Sequence, residues 1–128
     1  MALDFSERDQ KLLAHAVAHA NAGASLVLIH IVESASAKVL REQSDDFETQ
    51  KDKEKLESYA EVIRQQNITI ETRLGFRNRT REIARLVKES GADLLIIGAH
   101  GHTGIKDWFY GETIEGVRHQ LRIPVLIV

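Results

Sequence analysis

The sequence predicts an α/β protein: an open, doubly wound parallel sheet of five strands with helices on both faces. Three observations carry that prediction. Apolar runs such as "SLVLIHIV" (25–32) and "DLLIIG" (93–98) show no polar alternation, the habit of strands buried on both faces. Helix-length amphipathic stretches separate those runs. At 128 residues the chain suits one domain, residues 1–128, with one core and no visible long repeat or low-complexity segment.

In chain order, "MALD" (1–4) reads as the tail of a first strand whose front is clipped, so the natural protein is expected to be longer than this domain. Asp4 or Ser6 is placed to cap the next helix, whose Leu12, Leu13, Ala16, Val17 and Ala20 keep helical spacing up to Gly23. The second strand spans 25–32. A polar stretch, 33–46, precedes a charged helix with Leu56, Tyr59, Ala60 and Ile63 on one stripe. "ITIETRL" (68–74) is a third strand, and Ile83, Leu86 and Val87 mark a helix ending near Gly91. The fourth strand, 93–98, runs through a glycine loop into a helix with Ile114, Val117 and Leu121. Pro124 then opens the last strand, "PVLIV", where its missing N–H does little harm. Right-handed crossovers put any ligand beyond the carboxyl ends of the strands, on a rim made of 4–6, 31–33, 75–79 and 98–101.

Hydrophobic residues make up 43% and the net charge is −2, so the whole molecule has no pull on nucleic acid or an anionic membrane and an anion site must be local. With no cysteine, disulfides and thiolate zinc sites are excluded, and a cytoplasmic setting is expected. No apolar run approaches membrane-spanning length.

Gly98, Gly101 and Gly111 follow Gly-x2-Gly-x9-Gly, directly after a buried strand and leading into a helix. With "ALDFSE", "LIHIVE", "DLLIIGAHGHTG" and the terminal "PVLIV", essentially the whole chain resembles the universal stress protein family. The resemblance implies strand order 3-2-1-4-5 of the adenine nucleotide alpha hydrolase-like fold and a regulatory or stress-response role without catalysis. It also points to a homodimer through the C-terminal edge strand, a pairing that an exposed apolar edge invites. Family domains are found fused to membrane transporters, and the clipped start fits an excised cytosolic domain of that kind. Many members bind ATP. The site implied here sets Asp4 near the adenosine ribose and the Ile31 backbone on adenine. Gly98, Ala99, His100 and Gly101 pass under ribose and phosphates, and the amides of Gly111, Glu112 and Thr113 meet the phosphate chain at a helix N-terminus.

The departure is Glu112, where binders carry Ser or Thr after the last glycine, with Ile114 where a second hydroxyl often follows. Like charges about 4 Å apart repel by about 4 kcal/mol at an effective dielectric near 20, worth about three powers of ten in affinity. Glu112 at the helix start can also take the amide hydrogen bonds itself. Two readings follow. The pocket is degenerate and Glu112 caps the last helix, which the charge argument favours; or it still binds ATP, AMP or a cyclic dinucleotide, with Mg²⁺ in the ATP case. In the second, Arg77 or Arg79 of "LGFRNRTRE" offsets Glu112 by bidentate phosphate pairing. The plainer reading of that run is a solvated helix start in which Arg81 and Arg85 pair with Glu82 and Glu89.

His100 and His102, with Asp107 nearby, lack a third ligand fixed by spacing, so no metal site is assigned. His15 and His19 read as an exposed pair, His30 as a hydrogen-bonded core residue, and Trp108, Phe109 and Tyr110 as a hydrophobic anchor. Neither a Gly-x-Ser-x-Gly elbow nor a Walker loop is present, and no catalytic residue is assigned.

Overall fold

The computed structural model describes residues 1–21, 23–32, 47–99 and 108–128, with the side chains of 108–110 outside that description. Five strands, β1 (Ala2–Leu3), β2 (Leu26–Val32), β3 (Ile70–Phe76), β4 (Leu95–Ile97) and β5 (Val125–Ile127), form one parallel sheet in the order β3-β2-β1-β4-β5. The helices α1 (Asp9–Asn21), α2 (Phe47–Arg64), α3 (Arg79–Glu89) and α4 (Trp108–Gln120) alternate with them. The fold class and strand order expected from the sequence are those observed.

Parity along the strands divides the core. Leu26 and Leu28 of β2, with Leu3 and Ile96, pack against Leu12, Ala16, Leu56, Ala60 and Ile63 of α1 and α2. Ile29 and Ile31, with Leu95 and Ile97, pack against Ile83, Leu86, Val87 and Val117 of α3 and α4. β2 and β4 therefore each feed two apolar layers, which is why their sequences show no polar alternation.

Element boundaries differ from expectation where pairing and turns override local pattern. β3 begins and ends two residues later than 68–74, because its ladder runs from Leu26↔Ile70 to Val32↔Phe76 and keeps Phe76 buried. β4 is trimmed to the residues that pair with β5. Asp4 and Ser6 act ahead of α1 rather than as its cap: Asp4 Oδ1 accepts the Ser6 N–H at 3.0 Å and Ser6 Oγ accepts the Arg8 N–H at 3.3 Å. The chain then turns through the bond from the Asp9 amide to the Ser6 carbonyl, 3.1 Å, and the helix starts at Asp9. At its other end Gly23 stands at φ +98, a left-handed conformation that favours glycine, and its N–H caps the Ala20 carbonyl at 2.8 Å.

β1 lies between β2 and β4, so the strand order reverses there and the carboxyl ends of these three strands face a crevice. No helix among the described residues is long and apolar enough to cross a membrane.

Candidate functional site

The crevice is a cavity of ≈ 290 Å³ to which all four predicted rim segments contribute, through Asp4, Phe5, Ser6, Ile31, Arg79 and Gly98. One wall is polar and comes from the β1–α1 turn, β2 and α2: Asp4, Phe5, Ser6, Arg8, His30 and Asp52. The other is aliphatic, made by Ile29, Ile31, Ile83 and Ile97, with Arg79 and Thr113 set into it.

The polar wall is tightly cross-linked. His30 is buried, as expected of a hydrogen-bonded core histidine, yet it also reaches the cavity. Its Nδ1 lies 3.1 Å from the Leu3 carbonyl, which can only accept, so Nδ1 carries the hydrogen. Its Nε2 faces Asp52 Oδ2 of α2 at 3.3 Å. The Phe5 ring stacks on the imidazole, centroids 3.8 Å apart and planes 21° apart. Lys55 Nζ stands 4.6 Å above the centroid of the same ring, at cation–π range. Phe5 has φ +62, a conformation rare outside glycine, and its N–H is held by Asp9 Oδ2 at 2.8 Å.

On the aliphatic wall, Thr113 projects from α4 and is only 7% exposed, and Arg79 opens α3. The two helices approach closely at Gly116, where a Cβ would stand 2.7 Å from Thr80 Cγ2. The start of α3 is capped by Asn78, whose Oδ1 accepts the Arg81 N–H at 3.0 Å. Arg85 pairs with both Glu82 and Glu89, at 2.9 and 2.8 Å, as the plainer reading of the arginine run expected, whereas Arg81 forms no such pair among the described residues.

Of the expected ligand-facing residues, Asp4, Ile31, Gly98, Thr113 and Arg79 line this cavity. Ala99 is described just beyond β4, its N–H bonded to the Val128 carbonyl at 2.8 Å, and it does not line the cavity. Arg77 is exposed, at φ +75, and also lies off the wall. His100 and Gly101 lie outside the described residues, as do His102 and Asp107.

The expected place of Glu112 needs correction. α4 starts at Trp108, so Gly111 is its fourth residue and Glu112 its fifth. An amide that deep in a helix bonds to the carbonyl four residues before it, and a side chain there is past the capping position. Glu112 is exposed and absent from the cavity wall, whereas Thr113, one residue on, is buried in it. The amide donors of the first turn of α4 therefore belong to Trp108 and the residues directly after it rather than to those after Gly111.

Several features of the site were not expected: the stacked ring of Phe5 within the expected rim, Arg8, His30 as a wall residue, and Asp52. Asp52 left a readable trace, for it sits four residues before Leu56 on the apolar stripe of α2, a carboxylate where the stripe predicts a core side chain. Phe5 left none, because its role depends on a strained turn. His15 and His19 are exposed, and no group of three metal-ligating side chains gathers among the described residues.

A model of the universal stress protein family matches residues 1–128. The universal stress protein MJ0577 of Methanocaldococcus jannaschii is 24% identical over 145 residues, spanning 98% of this chain and 90% of its own. A solved structure of MJ0577 aligns with TM-score 0.77 at 26% identity, covering 99% of this chain and 91% of that one. The universal stress protein of Archaeoglobus fulgidus in complex with dAMP aligns with TM-score 0.70 at 21% identity, covering 98% and 92%. A universal stress protein in complex with cAMP gives 0.69 at 21%, covering 100% and 92%. At such identities the last two establish likeness of fold.

Proposed function

The chain belongs to the universal stress protein family, and on that premise we propose that residues 1–128 act as one noncatalytic regulatory domain whose cavity binds a single adenine mononucleotide. The observation that carries this is the cavity itself, where Asp4, Ile31, Gly98, Arg79 and Thr113 converge at the strand-order reversal. A flat base suits the aliphatic wall of Ile29, Ile31, Ile83 and Ile97. Asp4 on the rim accepts hydrogen bonds from ribose hydroxyls, and Arg79 supplies the positive partner that a phosphate needs. The volume of ≈ 290 Å³ sits at the low end of small-molecule sites, roughly 300–1,000 Å³, which favours a mononucleotide over a cyclic dinucleotide.

The degenerate-pocket reading depended on Glu112 standing among the phosphate-binding amides. Its position in the second turn of α4, off the cavity wall, removes the main argument for an empty pocket. Universal stress proteins of the same fold in complex with dAMP and cAMP add support for a monophosphate as the ligand class. Mg²⁺ has no part in this reading.

Calorimetric titration of the chain with AMP, and with ATP in the presence and absence of Mg²⁺, tests the proposal. One AMP per chain in the low micromolar range is expected. Absence of heat and of chemical-shift change with all of these ligands would overturn it. The reading includes a homodimer through β5, supported by a sheet edge that carries half-buried Val125 and Leu126 and exposed Ile127. Equilibrium ultracentrifugation showing monomer alone at high micromolar concentration would remove that assignment.

A further inference from the structure

One glycine on the rim is required by space rather than by backbone conformation. Gly75 lies one residue before the end of β3 and is buried. It does not take the left-handed conformation, so its backbone alone would accept a side chain. A Cβ there would stand 2.5 Å from Ile31 Cδ1, 3.1 Å from Glu82 Cβ and 3.2 Å from Leu86 Cδ1. Non-bonded carbons settle at about 3.5–4.0 Å, so the two α3 atoms would need to give only slightly, whereas the Ile31 methyl would have to withdraw by about 1 Å or more.

The topology decides which way that methyl can go. Ile31 is the partner of Gly75 in the β2–β3 ladder, and it is also a wall residue of the cavity. Ile83 and Leu86 of α3 belong to the same core layer as Ile31 and pack over the sheet there. On its other flank β2 pairs with β1, and the Leu3↔His30 register carries the Asp4 rim past Ile31. With β3 on one side and a packed helix above, the open space is the cavity, on the side toward β1.

We propose that Gly75 is a positioning residue for the ligand: by carrying no side chain it seats Ile31 over β3, and so holds the cavity wide enough for a two-ring base. This deepens the nucleotide reading of the cavity and rests on it for the ligand. The volume of ≈ 290 Å³ is already at the small end for such sites, so a methyl group swung into it removes room that a purine uses. The loss falls on the base rather than on the sugar and phosphate, because Ile31 belongs to the aliphatic wall that meets the base on that reading. A one-ring base needs less of this width. Residue 75 therefore bears on which base is accepted, without touching the ligand.

Gly75→Ala is compared with Ile31→Val and with the double variant, in which one methyl group is in effect moved from Ile31 to residue 75. AMP and CMP, which share ribose and phosphate and differ in a two-ring or one-ring base, are titrated into all four proteins by NMR. A crystal structure of free G75A locates Ile31. G75A is expected to lose roughly ten- to a hundredfold in AMP affinity, the effect of overpacking by one methyl group, and to lose less for CMP. Adding I31V to G75A is expected to restore AMP binding, and the free G75A structure to show Ile31 Cδ1 displaced toward β1. Equal losses for the two nucleotides, no recovery in the double variant, or an Ile31 side chain that keeps its place in G75A would each overturn the proposal. If G75A does not fold, the double variant carries the test: AMP preferred over CMP as in wild type upholds the proposal, and a double variant that is unfolded or takes no AMP refutes it. If wild type takes no CMP, the G75A structure and the rescue decide. If it takes no AMP either, the nucleotide reading fails, and the same structure still decides whether residue 75 seats Ile31.

Discussion

The two walls of the cavity are built on opposite physical terms. On the α1–α2 side, backbone amides, carboxyl groups, an imidazole and a stacked phenyl ring are cross-linked around a strained turn at Phe5. On the α3–α4 side, four isoleucines from two strands and a helix form a surface whose only described polar members are Arg79 and Thr113. Dispersion and burial shape the second wall, and they change little with pH or salt. Hydrogen bonds and charge shape the first, and these respond to both. On the proposed nucleotide reading the contrast gives each wall different work: the aliphatic wall would offer area to a base, and the polar wall would decide orientation and conditions of binding.

The largest effect that sharpens this contrast is expected from Ile29→Ala. Ile29 is 1% exposed and belongs to both the cavity wall and the core beneath it. Its truncation should lower stability by about 2–5 kcal/mol in urea unfolding, with no change in the pH dependence of that stability. A pH-dependent loss would show that the walls are not separable.

The polar wall should show the reverse. The Asp9 carboxyl is raised from 3.8 to about 7 in the folded chain, first by burial and then by the neighbouring Asp4 charge. In the unfolded chain it loses its proton near the ordinary aspartate value, so between these two pH values the folded state binds more protons. Stability from this group is therefore full at low pH, falls as pH rises through that window, and is flat above it. The slope is at most about 1.4 kcal/mol per pH unit. Asp9→Asn should remove this component, read as the difference between the two proteins in urea unfolding across the series; an unchanged difference would contradict the raised carboxyl.

Third in size is Arg79→Ala. Arg79 lines the cavity and Arg77 does not. A charge-assisted hydrogen bond contributes about 1.5–3 kcal/mol, so AMP affinity should fall roughly ten- to a hundredfold in R79A. Adenosine affinity should stay constant, and R77A should bind AMP as wild type does. Equal losses in the two variants would mean that the phosphate is met by diffuse charge rather than by one guanidinium.

How much of this was legible depends on the range of the interaction responsible. The doubly wound sheet and the rim positions Asp4, Ile31 and Gly98 follow from periodicity and element order, and the strand order from the family resemblance, all of which survive small errors of register. Asp52 was not expected, although a break in an apolar stripe marks its place. Asp9 carries no such mark, because nothing in a linear sequence shows that the Asp4 and Phe5 amides turn onto it through a left-handed Phe5. β3 slipped by two residues because its limits are set by β2 across the sheet rather than by its own β-branched residues. Helix starts suffered most, since a cap is fixed by a few local hydrogen bonds.

Glu112 is where that last weakness mattered for function. Placed at the mouth of α4, its carboxylate would compete with a phosphate for amides, and the pocket would be closed to nucleotides by about three powers of ten in affinity. With α4 beginning at Trp108, the same residue lies one turn further along, exposed and off the cavity wall. A charge there acts on a bound phosphate through solvent, where screening over a Debye length of about 8 Å leaves a weak interaction. Glu112→Ser is therefore expected to change AMP affinity by less than about threefold, and what change there is should shrink with added salt. Thr113→Val, which keeps the shape of a side chain buried in the wall and removes its hydroxyl, should cost more. A gain of a hundredfold or more on Glu112→Ser would return the carboxylate to the phosphate and make the polar component of the aliphatic wall, not the β1–α1 turn, the element that controls binding.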